Sequence, residues 1–317
     1  MRNEKLSPSR LGAWMMVAMS APFAYLAGRQ TYMAVLAVAV VSGLALWAVL
    51  SCPAALLRFP VYCLIAYGSL VVATVTVSQW SSAIWPTGKA WPVVPLTLLA
   101  LATASAWYGA NRASGSVGVL FWIITILYSI LLGFGFRNVR LEYLRPQLEV
   151  PGGLCWFVFL LPCAAQFLPR ERGKGIWPYV LALTAMGILA AVWTEGNLSA
   201  RIAEQMPWPF YGAGESVQLF GIANRLESLI SVGATLGLYS LYSLLLSAVG
   251  HLADNIRNGC GKYGVLLGGI LSAAGVLLRW EIPLFVLAGG AFVLWIAVPV
   301  LGAKILSKKG KIFENNA

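Results

Sequence analysis

Apolar residues run through this chain in long blocks, interrupted at short intervals by clusters of Pro, Gly, Arg and Asn, with no sustained alternation of apolar and polar positions. A helix of about 20 apolar residues matches the ~30 Å hydrocarbon layer of a bilayer. On that measure the sequence predicts ten membrane helices. They lie near Leu11 to Leu26, Tyr32 to Leu50, Phe59 to Trp80, Trp91 to Ala110, Val117 to Phe136, Leu154 to Leu168, Trp177 to Trp193, Gly221 to Ser247, Tyr263 to Leu278, and Pro283 to Leu306.

Two of these segments carry their own interruptions. The first contains MSAPFAYLAGRQ, with Pro22, Gly28 and Arg29, and the sixth reads PGGLCWFVFLLPCAAQFLP, with Gly152, Gly153 and Pro162. Proline removes a backbone donor and crowds the preceding turn. In hydrocarbon the freed groups must meet protein or a cavity. The two interrupted segments are five apart, which is the spacing of an inverted-repeat transporter. The expected fold is therefore an all-α polytopic membrane protein of ten transmembrane helices, a five-plus-five inverted repeat with helices 1 and 6 discontinuous. It forms a single transmembrane domain over 1–317: repeat one over about 8–150, repeat two over about 151–306, and a basic tail at 307–317.

Composition agrees, with 59% hydrophobic and only 10% charged residues, where a soluble domain carries roughly a quarter charged. The basic start MRNEKLSPSR is followed by no small-residue cleavage site, so the first apolar segment is expected to remain. With the N-terminus inside, most of the 22 Lys and Arg fall on one side, among them Arg58, Arg112, Arg170, Arg172, Lys174, Arg257, Lys262 and the tail lysines. Arg29, Lys89, Arg137, Arg140 and Arg145 fall on the other. This bias predicts both termini in the cytoplasm. The net charge of +11 thus reads as a topology signal with some attraction to the lipid bilayer, not as a nucleic-acid footprint.

Catalytic groups are sparse. Five cysteines form no CxxC pair and His251 is the single histidine, so no metal site, cofactor or enzyme activity is expected. NGCGKYG around Lys262 lacks the earlier Gly and the following Ser/Thr of a phosphate loop. Away from their ends the expected spans hold no Asp, His or Lys; the ionisable candidates are Arg225 and Glu227, both within two turns of the outer end of the eighth, which argues against proton coupling through a central carboxylate.

The eighth segment also carries Asn224, Ser228, Ser231, Thr235, Tyr239 and Tyr242 at steps of three and four, one polar face along a helix. Such a stripe serves either as interhelical glue or as one wall of a ligand site. Combined with the two interrupted helices, it defines an expected small-molecule site. That site comprises Met19, Ser20, Ala21, Pro22 and Phe23; Trp156, Phe157, Leu161, Pro162 and Cys163; and Ser228, Ser231 and Thr235. With no acidic side chain in segments 1 and 6, backbone dipoles would recognise the charges of a zwitterion, or the ligand would be neutral. Gly264 and Gly268, four apart, offer either a docking face for a partner or internal packing.

A series of short signatures also resembles one family. KLSPSRLGAWMMVAMSAP, LAGRQTYMAVLAVAV, WYGANRASGSVGVLFWIITILY, LRPQLE ahead of PGGLCWFVFLLP, and MPWPFY ahead of LFGIANRLESLISVG look like the B subunit of bacterial spore germinant receptors, over nearly the whole chain. The resemblance implies the amino acid/polyamine/organocation superfamily and residence in the cell or inner spore membrane. It also implies a small nutrient ligand such as an amino acid, and A- and C-type receptor subunits as partners. An amino acid permease of the same fold is the alternative.

Overall fold

The computed structural model describes residues 5–26, 32–52, 58–79, 92–144, 155–168, 175–206, 208–216, 227–280 and 283–302; within its helices some side chains, including those of 155–159, lie outside the description. Every regular element among these residues is helical. The chain runs through α1 (Pro8–Leu26), α2 (Tyr32–Ser51), α3 (Pro60–Gln79), α4 (Val93–Trp107), α5 (Ala110–Gly135), α6 (Cys155–Ala165) and α7 (Trp177–Leu198). It continues through two short helices, α8 (Ala200–Gln205) and α9 (Pro209–Ser216), then α10 (Glu227–Ile256), α11 (Gly261–Leu277) and α12 (Leu284–Phe292). A π-helical stretch, Val293–Ala297, prolongs α12. Each expected apolar segment overlaps a helix, and α8 and α9 are additional.

Five helices, α2, α3, α5, α7 and α10, are long and apolar enough to cross a membrane, while α4 and α11 are shorter apolar helices. Their outer faces bear Leu36, Val40, Leu44 and Trp47 on α2, and Val119, Trp122 and Ile126 on α5, all exposed. Apolar faces of that extent require acyl chains as solvent. The chain is an integral membrane protein.

At the centre stands α10, buried without interruption from residue 240 to 250. It packs against α1, α3, α4, α5 and α11, and α1 in turn touches α5 and α7. Small residues set the distances. A Cβ on Gly237 of α10 would collide with Ser20 Oγ and lie 2.7 Å from the Ala21 amide nitrogen, so α1 lies directly on α10 backbone. Two hydrogen bonds lock the register one turn and a half below: Trp14 Nε1 donates to the Ser240 carbonyl at 3.1 Å, and Ser240 Oγ to the Trp14 carbonyl at 3.5 Å.

Two expectations are corrected here. First, α1 does not break at Pro22; it is one helix through that residue. Ser20 lies two residues before the proline, and its hydroxyl donates to the Val17 carbonyl at 2.7 Å, with the Gly233 carbonyl of α10 at 3.3 Å. Tyr128 of α5 donates to the Ser20 carbonyl at 2.9 Å. Neighbouring groups thus engage the backbone around the proline, and no gap opens. Likewise α6 runs through Pro162 and ends three residues later, in turns at Gln166, Phe167 and Leu168. Its 11 residues span about 16 Å, half a bilayer. Secondly, Gly264 and Gly268 are not an open docking face. They are buried: a Cβ on Gly264 would meet Ala253 and one on Gly268 would meet Val249, both on α10. The small-residue surface is consumed by α11 packing on its neighbour within the chain. Gly152, Gly153, Asn224, Arg225 and the basic tail lie outside the described residues.

Replacing Gly237 by Ala is expected to lower unfolding stability by about 1–3 kcal/mol, since the added methyl overpacks a backbone contact. Gly115, mid-helix in α5, has open space for 4 Å around the point where a methyl would sit and should tolerate Ala with no loss. Thermal unfolding of the two variants in the same detergent checks both.

Candidate functional site

The stretch of α1 around Pro22 is wholly internal: Met19, Ser20, Ala21, Pro22 and Phe23 are all buried. Its residues divide between two sides. Ser20 and Ala21 face the glycines of α10, whereas Met16, Val17 and Phe23 face a cavity of about 230 Å³ between α1, α5 and α7. From α5 the cavity is lined by Phe121, Ile124, Thr125, Tyr128, Ser129 and Leu132, and from α7 by Met186 and Ala190. Thr125 and Ser129 are exposed, so the cavity opens sideways along α5.

Its lining is thioether, aromatic and aliphatic, with three hydroxyls and no charged side chain. Tyr128 joins it to the packing of α1: the ring forms part of the wall, while the hydroxyl donates to Ser20. Behind it, Phe210 of α9 stacks on Tyr128 at 6.2 Å and Trp193 of α7 packs on Phe210 at 5.0 Å. Gly187 brings α7 against Phe23 and Val35. Such a pocket suits a small, largely apolar molecule that offers one or two groups to hydroxyls.

The expected site residues are only partly brought together. Phe23 lines the cavity, and Ser20 supports it through Tyr128. The side chains of Trp156 and Phe157 lie outside the described residues. Leu161, Pro162 and Cys163 are buried in α6, which packs chiefly on α2 and α12 and only slightly on α1. Ser231 and Thr235 point away from α1. The α10 face that meets α1 carries Gly233, Gly237 and Ser240, and each glycine follows a stripe residue by two positions, about 200° of helix turn. Thr235 Oγ1 donates to the Ser231 carbonyl at 2.7 Å within its own helix. Further along the stripe, Tyr242 donates to Ser78 of α3 at 2.9 Å. The stripe therefore faces other helices, and Ser228, at its start, is exposed.

Sequence reasoning missed α5 and α7. A signal was present in α5, where Phe121, Thr125, Tyr128 and Leu132 recur at steps of four, three and four and set two hydroxyl groups on one face of an apolar helix. Glu195 was missed too. The seventh segment ended, by hydropathy, at Trp193, but α7 continues to Leu198 and Glu195 is only 2% exposed. A buried carboxylate in a membrane helix is costly and marks function by default.

Tyr128→Phe removes the bond to Ser20 and should cost about 1 kcal/mol of stability, read by thermal unfolding. Thr125→Phe, at the open rim, should leave stability unchanged and abolish small-molecule binding, read by ligand-induced thermal shift.

No protein-family profile and no curated protein sequence matches the chain. Among solved structures it is similar to MHP1, a nucleobase-cation-symport-1 family transporter, in a closed conformation with bromovinylhydantoin bound. The TM-score is 0.58 at 15% sequence identity, covering 92% of this chain and 78% of that one. Identity this low shows the fold alone, and that fold is the fold of a polytopic membrane transporter.

Proposed function

We propose that this protein is the membrane subunit of a spore nutrient-germinant receptor, one that binds a small nutrient such as an amino acid beside α1 and helps to trigger germination with A- and C-type subunits. The carrying observation is the uncharged cavity between α1, α5 and α7, open sideways along α5, a small-molecule pocket on a transporter-type fold; the ordered signatures that resemble the germinant-receptor B subunit supply the biological setting. The reading includes ten membrane helices in two inverted repeats, over about 8–150 and 151–306, with both termini cytoplasmic. Apolar amino acids fit the cavity best, with the ammonium and carboxylate met by hydroxyls at Thr125 and Ser129 and by backbone groups. Ser231 and Thr235 play a packing role in this reading, and Ser228 lies on an exposed face.

Counterflow of labelled amino acids in proteoliposomes holding this chain alone tests it. Binding without flux is expected, together with a germination defect when the gene is deleted in a spore former; robust saturable uptake would overturn the receptor role. Cysteine-accessibility mapping is expected to place the loop after Arg137 and the loop after Arg170 on opposite sides of the membrane.

A permease is the second reading, favoured by Glu195, the buried carboxylate that hydropathy had left outside the seventh span. Carboxylates so placed carry protons in coupled transporters. In that case Glu195→Gln should abolish uptake driven by a proton gradient while counterflow persists.

A further inference from the structure

α4 and α11 border an open groove of about 400 Å³ that shares no residue with the α1 cavity. Its walls are Leu96, Ala100, Ala104 and Trp107 of α4 with Leu266 and Ile270 of α11, among others. Ala100, Ala104, Leu266 and Ile270 are exposed, so the groove faces the surrounding lipid. From Leu96 to Trp107 it runs 11 residues, about 16 Å at 1.5 Å per residue, which is roughly one leaflet of a ~30 Å hydrocarbon core. The two ends of the groove differ. At the Trp107 end, Lys262 places Nζ 6.0 Å from the centre of the Trp107 ring, and Tyr263 packs edge-on against the same ring at 6.5 Å. Arg112, one turn into α5, lies over Tyr108 at 5.6 Å. Lys262 and Arg112 are both exposed there. The nearby carboxylate of Asp254 accepts the Gly261 amide.

An apolar channel one leaflet deep, ending in aromatic rings and cations at the interface, has the layout of a phospholipid: acyl chain, glycerol level and anionic headgroup in order. We propose that the α4–α11 groove is a binding site for an anionic phospholipid, with one acyl chain along Ala100, Ala104 and Ile270 and the phosphate against Lys262. Charge complementarity commits the occupant to an anionic lipid, because the choline of a zwitterionic lipid offsets its phosphate at the cations and a detergent tail engages none of them. The site is independent of the nutrient cavity and of which protein family the chain belongs to.

Native mass spectrometry of the full chain, offered phosphatidylglycerol and phosphatidylcholine of matched chains, tests this. The wild type is expected to retain phosphatidylglycerol about fivefold better, the factor expected for one cation near an anionic headgroup. Lys262→Glu should erase that preference, Lys262→Arg should keep it, and Ala104→Phe should reduce retention of both lipids by blocking the groove. Equal retention of the two lipids by the wild type, or an undiminished preference in Lys262→Glu, would overturn the proposal. So would complete displacement of the lipid by soluble glycerol phosphate, since the acyl chain would then contribute nothing. Monodisperse size-exclusion profiles for all variants separate loss of binding from loss of fold.

Discussion

The arrangement of this protein depends on how closely α1 lies on α10. Gly237 has no side chain to hold the helices apart, so Ser20 and Ala21 rest on α10 backbone, while the bare Gly233 leaves room for the Tyr128 ring of α5. That proximity brings Ser20 Oγ to 3.3 Å from the Gly233 carbonyl. It also places Trp14 and Ser240 where each bonds the other's backbone. In hydrocarbon, helix association has no hydrophobic drive, and close packing with a few interhelical hydrogen bonds must supply it. Pro22 is tolerated in a continuous helix because this packing surrounds it. The same packing turns Phe23, Val17 and Met16 to the opposite side, where they wall the cavity.

Lipid as solvent also explains why polar residues here are poor guides to a site. Hydroxyls in these helices are mostly spent on their own backbone: Thr74 on the Leu70 carbonyl, Ser78 on Thr74, Thr103 on Leu99, Thr194 on Ala190, and Ser243 on Tyr239. Each bond satisfies a group that hydrocarbon cannot, and none requires a ligand. Tyr128 differs because its hydroxyl reaches another helix while its ring lines a cavity. Position between elements, more than polarity, makes it a candidate for function.

Receptor and permease share this framework, and they differ in what the carboxylate and the cavity do together. The cavity lining holds no charge, so ligand selection there rests on shape and hydroxyls. Glu195 lies two turns or less from Ala190, near the end of α7. A proton-linked cycle would have to couple that end of α7 to the cavity wall through Ala190 and Met186. A receptor would instead transmit ligand occupancy through Tyr128 to the α1–α10 contact, which joins the cavity wall to the bundle centre.

The apolar blocks and their lengths determined, without any structure, that this is a helical membrane protein, and they located its helices to within a few residues for most segments. That follows because lipid imposes a length and a composition on each span separately. That the Met19 to Phe23 stretch needs special surroundings was legible for a related reason: a proline in a membrane helix frees backbone groups that neighbouring elements must meet. Which residues gather around it was a different matter. Thr235 and Gly237 are two positions apart and both look like plausible neighbours of α1, yet only the rotation of α10 about its axis decides that the glycine faces α1 and the stripe faces away. Burial of Gly264 and Gly268, the part played by α5 and α7, and the burial of Glu195 beyond the hydropathic end of its helix likewise depend on which helix lies against which. Those are pairwise choices among helices that are nearly alike in composition, so packing alone resolves them.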